Sequence, residues 1–469
     1  MWISTTLFSG RIAHSRWAAI SLVVIVSISL RAIPELVASP YPVGYDTVNY
    51  YIPMITNLEQ NWQSISDDFP LYVLILYFIM VATGLSAHSV VVGSAVALFG
   101  LFAIAVFYAS RTLLKLAPWQ SVIATAFVIV QLSVLRTAWD LHRDLLALSI
   151  MLIVFSLLAS RERSLSLMIL LIALACFTVA TDRMVGLLLL ASLGAGAVLY
   201  KSRSMMILAA ISGALFISLL AASNLGTIES ASQGEAFVSS TSSQISRFDY
   251  LVLFGVLNGA IAVPAILGFM RAKHVLLKVP LILSGVGSLS WLVLSDPSMF
   301  VPERWMIIFG VFASLFAGYF ILKTVQPRKR GNFIIASVLL GFGVIGIAYA
   351  GLPYDRPFPL FTLAKDHIEP FMPITMQFNA LDVQDNDALI AAVGDINRNT
   401  EDTAIIVGAK HWRGFMELHL EEPRIYKFSE DPRNLALAHA RLGSDVYLIE
   451  PNEGASDFVV SRVEDSGRR

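Results

Sequence analysis

Ser39-Pro-Tyr-Pro-Val-Gly-Tyr-Asp-Thr-Val-Asn-Tyr-Tyr51 follows directly on the first long apolar run of the chain, residues 17–34. Asp46 therefore stands among four tyrosines and two prolines, just outside the end of a membrane span. An ionisable group at that depth is costly to hold, so it reads as one wall of a functional site. The whole chain supports the membrane setting. Its 469 residues are 56% hydrophobic and only 14% charged, with a mean hydropathy of +0.70. That composition excludes an ordinary soluble protein.

Apolar runs long enough to cross a hydrocarbon layer of about 30 Å predict a polytopic α-helical membrane protein with eleven spans. They lie near 17–34, 88–110, 119–137, 145–160, 165–180, 184–200, 204–222, 250–270, 279–295, 304–322 and 331–350. The first span is expected to insert the chain as an uncleaved anchor. Cys176 is the only cysteine, so no disulfide forms within the chain.

The net charge of −1 hides an asymmetry along the chain. Alternate connections carry Arg11 and Arg16, Arg111 and Lys115, Arg161 and Arg163, Lys201 and Arg203, then Arg271, Lys273 and Lys278, then Lys323, Arg328, Lys329 and Arg330. The other set holds Glu35, Asp46, Asp140, Asp144, Asp182, Asp296 and Glu303. The positive-inside rule places the basic set and the N-terminus in the cytoplasm, and the acidic set outside the cell membrane. This parity requires that Phe69–Gly84, opened by Pro70, be a short interfacial or re-entrant helix rather than a crossing.

Composition changes after Gly351. The expected division is a membrane domain over 1–351, with a first outer loop over 35–87, and an extracytoplasmic α/β domain over 352–469. In that second part Thr403–Val407, Arg424–Phe428 and Asp445–Ile449 read as strands, with helices near 386–398, 411–420 and 432–442. The Ser/Thr-rich residues 227–246 read as an outer loop.

Acids and arginines recur at outer span ends: Gly44-Tyr-Asp46, Trp139-Asp-Leu-His-Arg-Asp144, Thr181-Asp-Arg183 and Pro302-Glu-Arg-Trp305. A guanidinium binds phosphate oxygens bidentately and keeps its charge, so their convergence would suit an anionic lipid headgroup. Each site also has an ordinary reading. Asp46 fits a turn after Gly44, Asp140 and Arg143 fit a helix start with a local ion pair, and His142 fits a loop histidine with no ligand partner. Trp139, Trp291 and Trp305 fit an interfacial aromatic belt. Coincidence on one face favours the functional reading.

These motifs resemble the GT-C superfamily of integral-membrane glycosyltransferases, which take a sugar from a polyprenyl-phosphate carrier. The resemblance is to the branch related to dolichyl-phosphate-mannose–protein mannosyltransferases, including its archaeal and bacterial members. It rests on Gly44-Tyr-Asp46, Phe69-Pro-Leu71, Trp139-Asp-Leu-His-Arg143, Pro302-Glu-Arg-Trp305 and the C-terminal outer domain. It implies inverting transfer of one sugar, mannose being the family's usual one, to a glycan, lipid or protein acceptor hydroxyl. Asp46 is then the base, with Asp140 the second catalytic carboxylate near an oxocarbenium-like transition state. Tyr45, Tyr50, His142, Arg143, Asp182, Arg183, Glu303 and Arg304 are the candidate substrate-binding residues, with Arg143, Arg183 and Arg304 on the phosphate.

Two departures stand out. Asp46 is followed by Thr47 where the family often has Asp-Glu, and the oligosaccharyltransferase signature Trp-Trp-Asp-Tyr-Gly is absent. En bloc glycan transfer to asparagine is therefore not expected. Whether Asp46 and Asp140 share a divalent metal stays open, and no other cofactor and no nucleic-acid partner is expected. A lipid-linked-sugar flippase, a glycan ligase and a non-catalytic scaffold are the rival readings. A transporter would favour internal repeats around a midplane site, and no repeat is visible.

Overall fold

The computed structural model of the chain describes residues 16–39, 41–42, 44, 46–56, 58, 71–159, 164–240, 247–294, 301–324, 383–409, 412–421, 423–429, 431–452 and 457–463. In a bilayer each backbone amide must be satisfied within its own segment, so the apolar runs become helices. Ten of the eleven expected spans coincide with helices, and residues 331–350 lie outside the described set. The helices are α1 (Arg16–Ala38), α4 (Ala87–Thr112), the pair α5 (Pro118–Ile129) and α6 (Leu132–Trp139), α7 (His142–Leu158), α8 (Leu165–Thr181), α9 (Arg183–Tyr200), α10 (Arg203–Ser240), α11 (Arg247–Phe254) with α12 (Ala260–Arg271), α13 (Val275–Ser288) and α14 (Pro302–Thr324). Among the described residues seven qualify as spans by length and apolarity, or eight with the bent pair counted once. The protein is an α-helical polytopic membrane protein with a small C-terminal α/β domain.

Two local features depart from the expected pattern. The run 119–137 is not one straight span, because α5 and α6 meet at a bend of 70°. Gln131 makes the break tolerable: its Nε2 donates to the Phe127 carbonyl at 3.0 Å, satisfying an acceptor freed at the end of α5. Helix α10 continues to Ser240 where an outer loop was expected. Once a helix is nucleated, each further residue adds a bond, which outweighs modest local propensity. The short helix expected within Phe69–Gly84 is α3 (Leu71–Thr83), 13 residues and about 20 Å long at 1.5 Å per residue, too short for a crossing. The Phe69-Pro70 start of that segment lies outside the described residues.

Around the bundle core, α4 packs on α1 and α7, and α12 packs along α14 with Gly268 directly against the Phe316 carbonyl. Trp139 and Trp291 are 5% and 4% exposed, so they are interior residues rather than members of an interfacial belt. Trp291 stacks on Tyr250 at 6.2 Å, and Trp305 lies against Gly287.

The C-terminal domain is a four-stranded sheet in the order β2-β1-β3-β4: β1 (Ile405–Ala409), β2 (Ile425–Ser429), β3 (Val446–Pro451) and β4 (Phe458–Arg462). β1 pairs parallel with β2 and β3, while β4, which the sequence reading missed, runs antiparallel to β3. Helix α15 (Val383–Asn399) precedes β1, while α16 (Arg413–His419) connects β1 to β2 and α17 (Pro432–Arg441) connects β2 to β3. Leu389, Val393 and Ile396 of α15 and Phe415 of α16 cover one face, with Ile406 and Ile449. Ala436 of α17 covers the other, with Val407, Val446 and Leu448. The central parallel strand β1 is thus buried on both faces, as its unbroken apolar sequence requires. Val48 of the first outer loop is a member of the first of these clusters.

Candidate active site

The first outer loop is built around Gly44 and a π-helix, Thr47–Tyr51. Gly44 has φ 110°, and a Cβ there would meet the Trp139 carbonyl, Asp140 Oδ1 at 2.7 Å and Thr47 Oγ1 at 2.9 Å. The chain thereby lies flat against the turn between α6 and α7, which a side chain would prevent. Asp46 caps the π-helix; its amide donates to Asp140 Oδ1 at 3.3 Å, and Thr47 Oγ1 donates to the Trp139 carbonyl at 3.4 Å. Asp46 and Asp140 therefore meet at one end of the bundle.

Asp140 is 1% exposed and ion-pairs with Arg136, one helical turn before it, rather than with Arg143. The same turn is anchored by Arg31 of α1, whose Nε donates to the Ala138 carbonyl at 3.0 Å while its Nη2 lies 2.7 Å from Glu35. His142 is fully buried as the first residue of α7, not a loop histidine. Its ring stacks on Tyr51 at 5.1 Å and meets the edge of Tyr72 at 6.2 Å, with Nε2 3.1 Å from the Trp139 carbonyl. Tyr51 Oη accepts from the Arg143 amide at 3.5 Å, and the Arg143 guanidinium lies 5.7 Å from the centre of the Tyr50 ring.

Three further charges complete the cluster. Asp182 is 3% exposed and caps α9, its Oδ1 accepting from the Val185 amide at 2.9 Å. Asp144, 1% exposed, faces Asp182, Arg304 and Arg143. Arg304, half-buried on the first turn of α14, lies within electrostatic reach of Asp144, Asp182, Arg143 and Asp46. Four span ends distant in sequence thus bring Asp46, Asp140, Arg143, Asp182 and Arg304 together.

Glu303 is half-buried beside Arg304, while Arg183 is exposed. Tyr45 lies outside the described residues. Arg31 and Arg136 were not singled out from sequence, and Asp144 was named in its motif without a role, although Arg31/Glu35 and Arg136/Asp140 are legible as i,i+4 pairs.

Burial raises the pKa of Asp46, opposed first by Arg304 and then by Arg136 and Arg143. Burial likewise lifts Asp140 to about 7, opposed by Arg136 and reinforced by the neighbouring Asp46. A carboxylate tuned towards neutrality beside fixed guanidinium groups is equipped to take a proton and to face an anionic leaving group. The pair does not fit a shared cation: one Asp140 oxygen faces Arg136 and the other the Asp46 amide. Among the described residues no group of three His, Cys, Asp or Glu side chains is arranged to hold one.

No family model matches the chain, and no curated protein matches it. Two solved structures of the oligosaccharyltransferase of Archaeoglobus fulgidus are similar to it. The first carries a tethered acceptor peptide with the NVT sequon; it is 13% identical, with a TM-score of 0.45 over 88% of this chain and 64% of that one. The second, the apo form, is 14% identical with a TM-score of 0.43 over 88% and 65%. The chain spans less than two thirds of the length of these proteins.

The C-terminal domain touches the first loop next to Asp46. Gly414 of α16 donates its amide to Asn49 Oδ1 at 2.8 Å, and a Cβ at Gly414 would collide with the Val48 carbonyl. Tyr41 donates to Asp387 and packs edge-on against Phe415 at 5.9 Å. Lys410 and His411 lie outside the described residues, whereas Trp412 is buried against Phe458 and Arg413 lies over the Phe428 ring. Trp412 therefore serves the domain core.

Proposed function

We propose that the protein is a membrane glycosyltransferase that moves a single sugar from a polyprenyl-phosphate carrier to an acceptor hydroxyl, with inversion. The observation that carries this reading is the meeting of Asp46 with Arg304 and Arg143 at one end of the bundle. Asp46 takes the acceptor proton as the hydroxyl attacks the anomeric carbon. The bond to phosphate breaks on the opposite face, and the departing phosphate is stabilised by Arg304 and Arg143, whose fixed charge needs no reorganisation. Asp140, committed to Arg136 and to the Asp46 amide, is assigned to positioning the base. The site and residues 352–469 face the outside of the cell membrane, and the C-terminal domain bounds the acceptor side.

The test supplies membranes containing wild-type or Asp46→Asn protein with radiolabelled polyprenyl-phosphate sugars. Loss of a general base is expected to slow transfer by roughly 10²–10⁴-fold. Near-normal turnover in the folded variant would sink the assignment. Absence of Asp46-dependent consumption from every carrier, with candidate acceptors present, moves the weight to transport.

A further inference from the structure

At the end of the bundle remote from Asp46, the described residues line a cavity of about 920 Å³. Its place follows from connectivity: α8 runs 17 residues, about 25 Å, from the cavity to Asp182 at its far end. One side is apolar, formed by Leu158, Leu167, Met168, Leu171 and Leu276. The other carries Lys201, Ser202, Arg203, Ser204 and His274, with no acid among the described lining residues.

The two strong cations occupy positions that local structure does not favour. Lys201 ends α9 at φ 49°, the left-handed conformation that glycine adopts most cheaply. Arg203 is the first residue of α10, where the positive end of the helix repels a cation. Helices α8 and α13 begin at the same place, at Leu165 and Val275, while α7 and α9 end there, at Leu158 and Tyr200, so the positive field of the cavity comes chiefly from its side chains. Lys115 also contributes positive charge at His274. A bound anion offsets the repulsion at Arg203. The leucine and methionine wall, far larger than a free phosphate needs, favours an anion with a hydrocarbon tail.

We propose that this cavity binds one anionic phospholipid, with Lys201 and Arg203 on its phosphate and an acyl chain along Leu158, Leu167 and Met168. The site is separate from the proposed glycosyl-transfer site and does not depend on it.

The full-length protein in neutral detergent is titrated with dioleoylphosphatidylglycerol or dioleoylphosphatidylcholine, and bound lipid is counted by native mass spectrometry. Wild type is expected to retain one phosphatidylglycerol per chain in preference to phosphatidylcholine. At about 1 kcal/mol per basic residue, Lys201→Gly and Arg203→Gln should each weaken retention about fivefold. Lys201→Gly relieves the backbone conflict, so its melting temperature without lipid should hold or rise, separating lost binding from lost folding. Met168→Trp fills the apolar side with both charges intact and should also lower retention. Equal retention of the two lipids, or wild-type retention in the charge variants, overturns the proposal. Displacement by millimolar inorganic phosphate with Met168→Trp unaffected also overturns it, in favour of a free-phosphate site.

Discussion

Gly44 holds its φ of 110° with the Trp139 carbonyl and the Asp140 carboxylate where a Cβ would go. Gly44→Ala must strain the backbone or push the α6–α7 turn away, at a cost on the order of 1–3 kcal/mol. Thermal unfolding should show that loss, and transfer should fall further because Asp46 leaves the Asp140 carboxylate; a variant matching wild type in both would remove Gly44 from the site.

Acidity gives a second residue-level prediction. In the proposed mechanism Asp46 acts as a carboxylate, and burial raises its pKa, so transfer should decline as pH falls through the raised value and level off above it. Arg304 is the largest influence lowering that pKa. Arg304→Gln should therefore move the acid limb of the pH–rate profile to higher pH, and an unmoved limb counts against Asp46 as the base. The stability sign agrees: a carboxyl with a raised folded pKa binds its proton more tightly when folded, so its burial penalty grows as pH rises from about 4 towards the value of about 7 at Asp140. The aspartates at span ends were legible because charge stands out against apolar sequence. The position of Arg183 was not: consecutive helical residues point about 100° apart, so Asp182 capping inward turns Arg183 outward.

At the level of elements, the π-helix Thr47–Tyr51 presents Asp46 to α6 and Asn49 to α16. Widened turns of this kind concentrate at functional sites, and no composition or period in Thr47–Tyr51 announces one. The bend between α5 and α6 was equally hidden, since 119–137 carries a single charge, Arg136, and its other polar residues are Gln120, Gln131 and the small hydroxyls Ser121, Thr125, Ser133 and Thr137. It arises from pairing, with Arg136 drawn to Asp140 and the short helix α6 buried from Ser133 to Trp139. The amide of Gly414 reaches Asn49 only because no side chain separates α16 from the Val48 carbonyl. Gly414→Ala should therefore lower transfer several-fold, reaching roughly tenfold for each 1.4 kcal/mol lost at the transition state, while α4 and α7 stay intact by hydrogen exchange. Unchanged turnover would separate the docking from the chemistry.

On the scale of the molecule, the core of the C-terminal domain takes in the first outer loop. Val48 belongs to the cluster of Leu389, Val393 and Phe415, so the membrane part is incomplete without the C-terminal sheet domain. Residues 1–351 expressed alone should insert but fail to transfer sugar, and the full chain cleaved between 352 and 382 should remain associated and active. Activity of 1–351 alone would show that the first loop holds its shape unaided. Asn49 and Gly414 lie 365 residues apart in sequence. At roughly 5–20 residues per second, the ribosome needs tens of seconds after making Asp46 before its supporting partner exists. The nascent chain thus carries the proposed site without this support until Gly414 has been made.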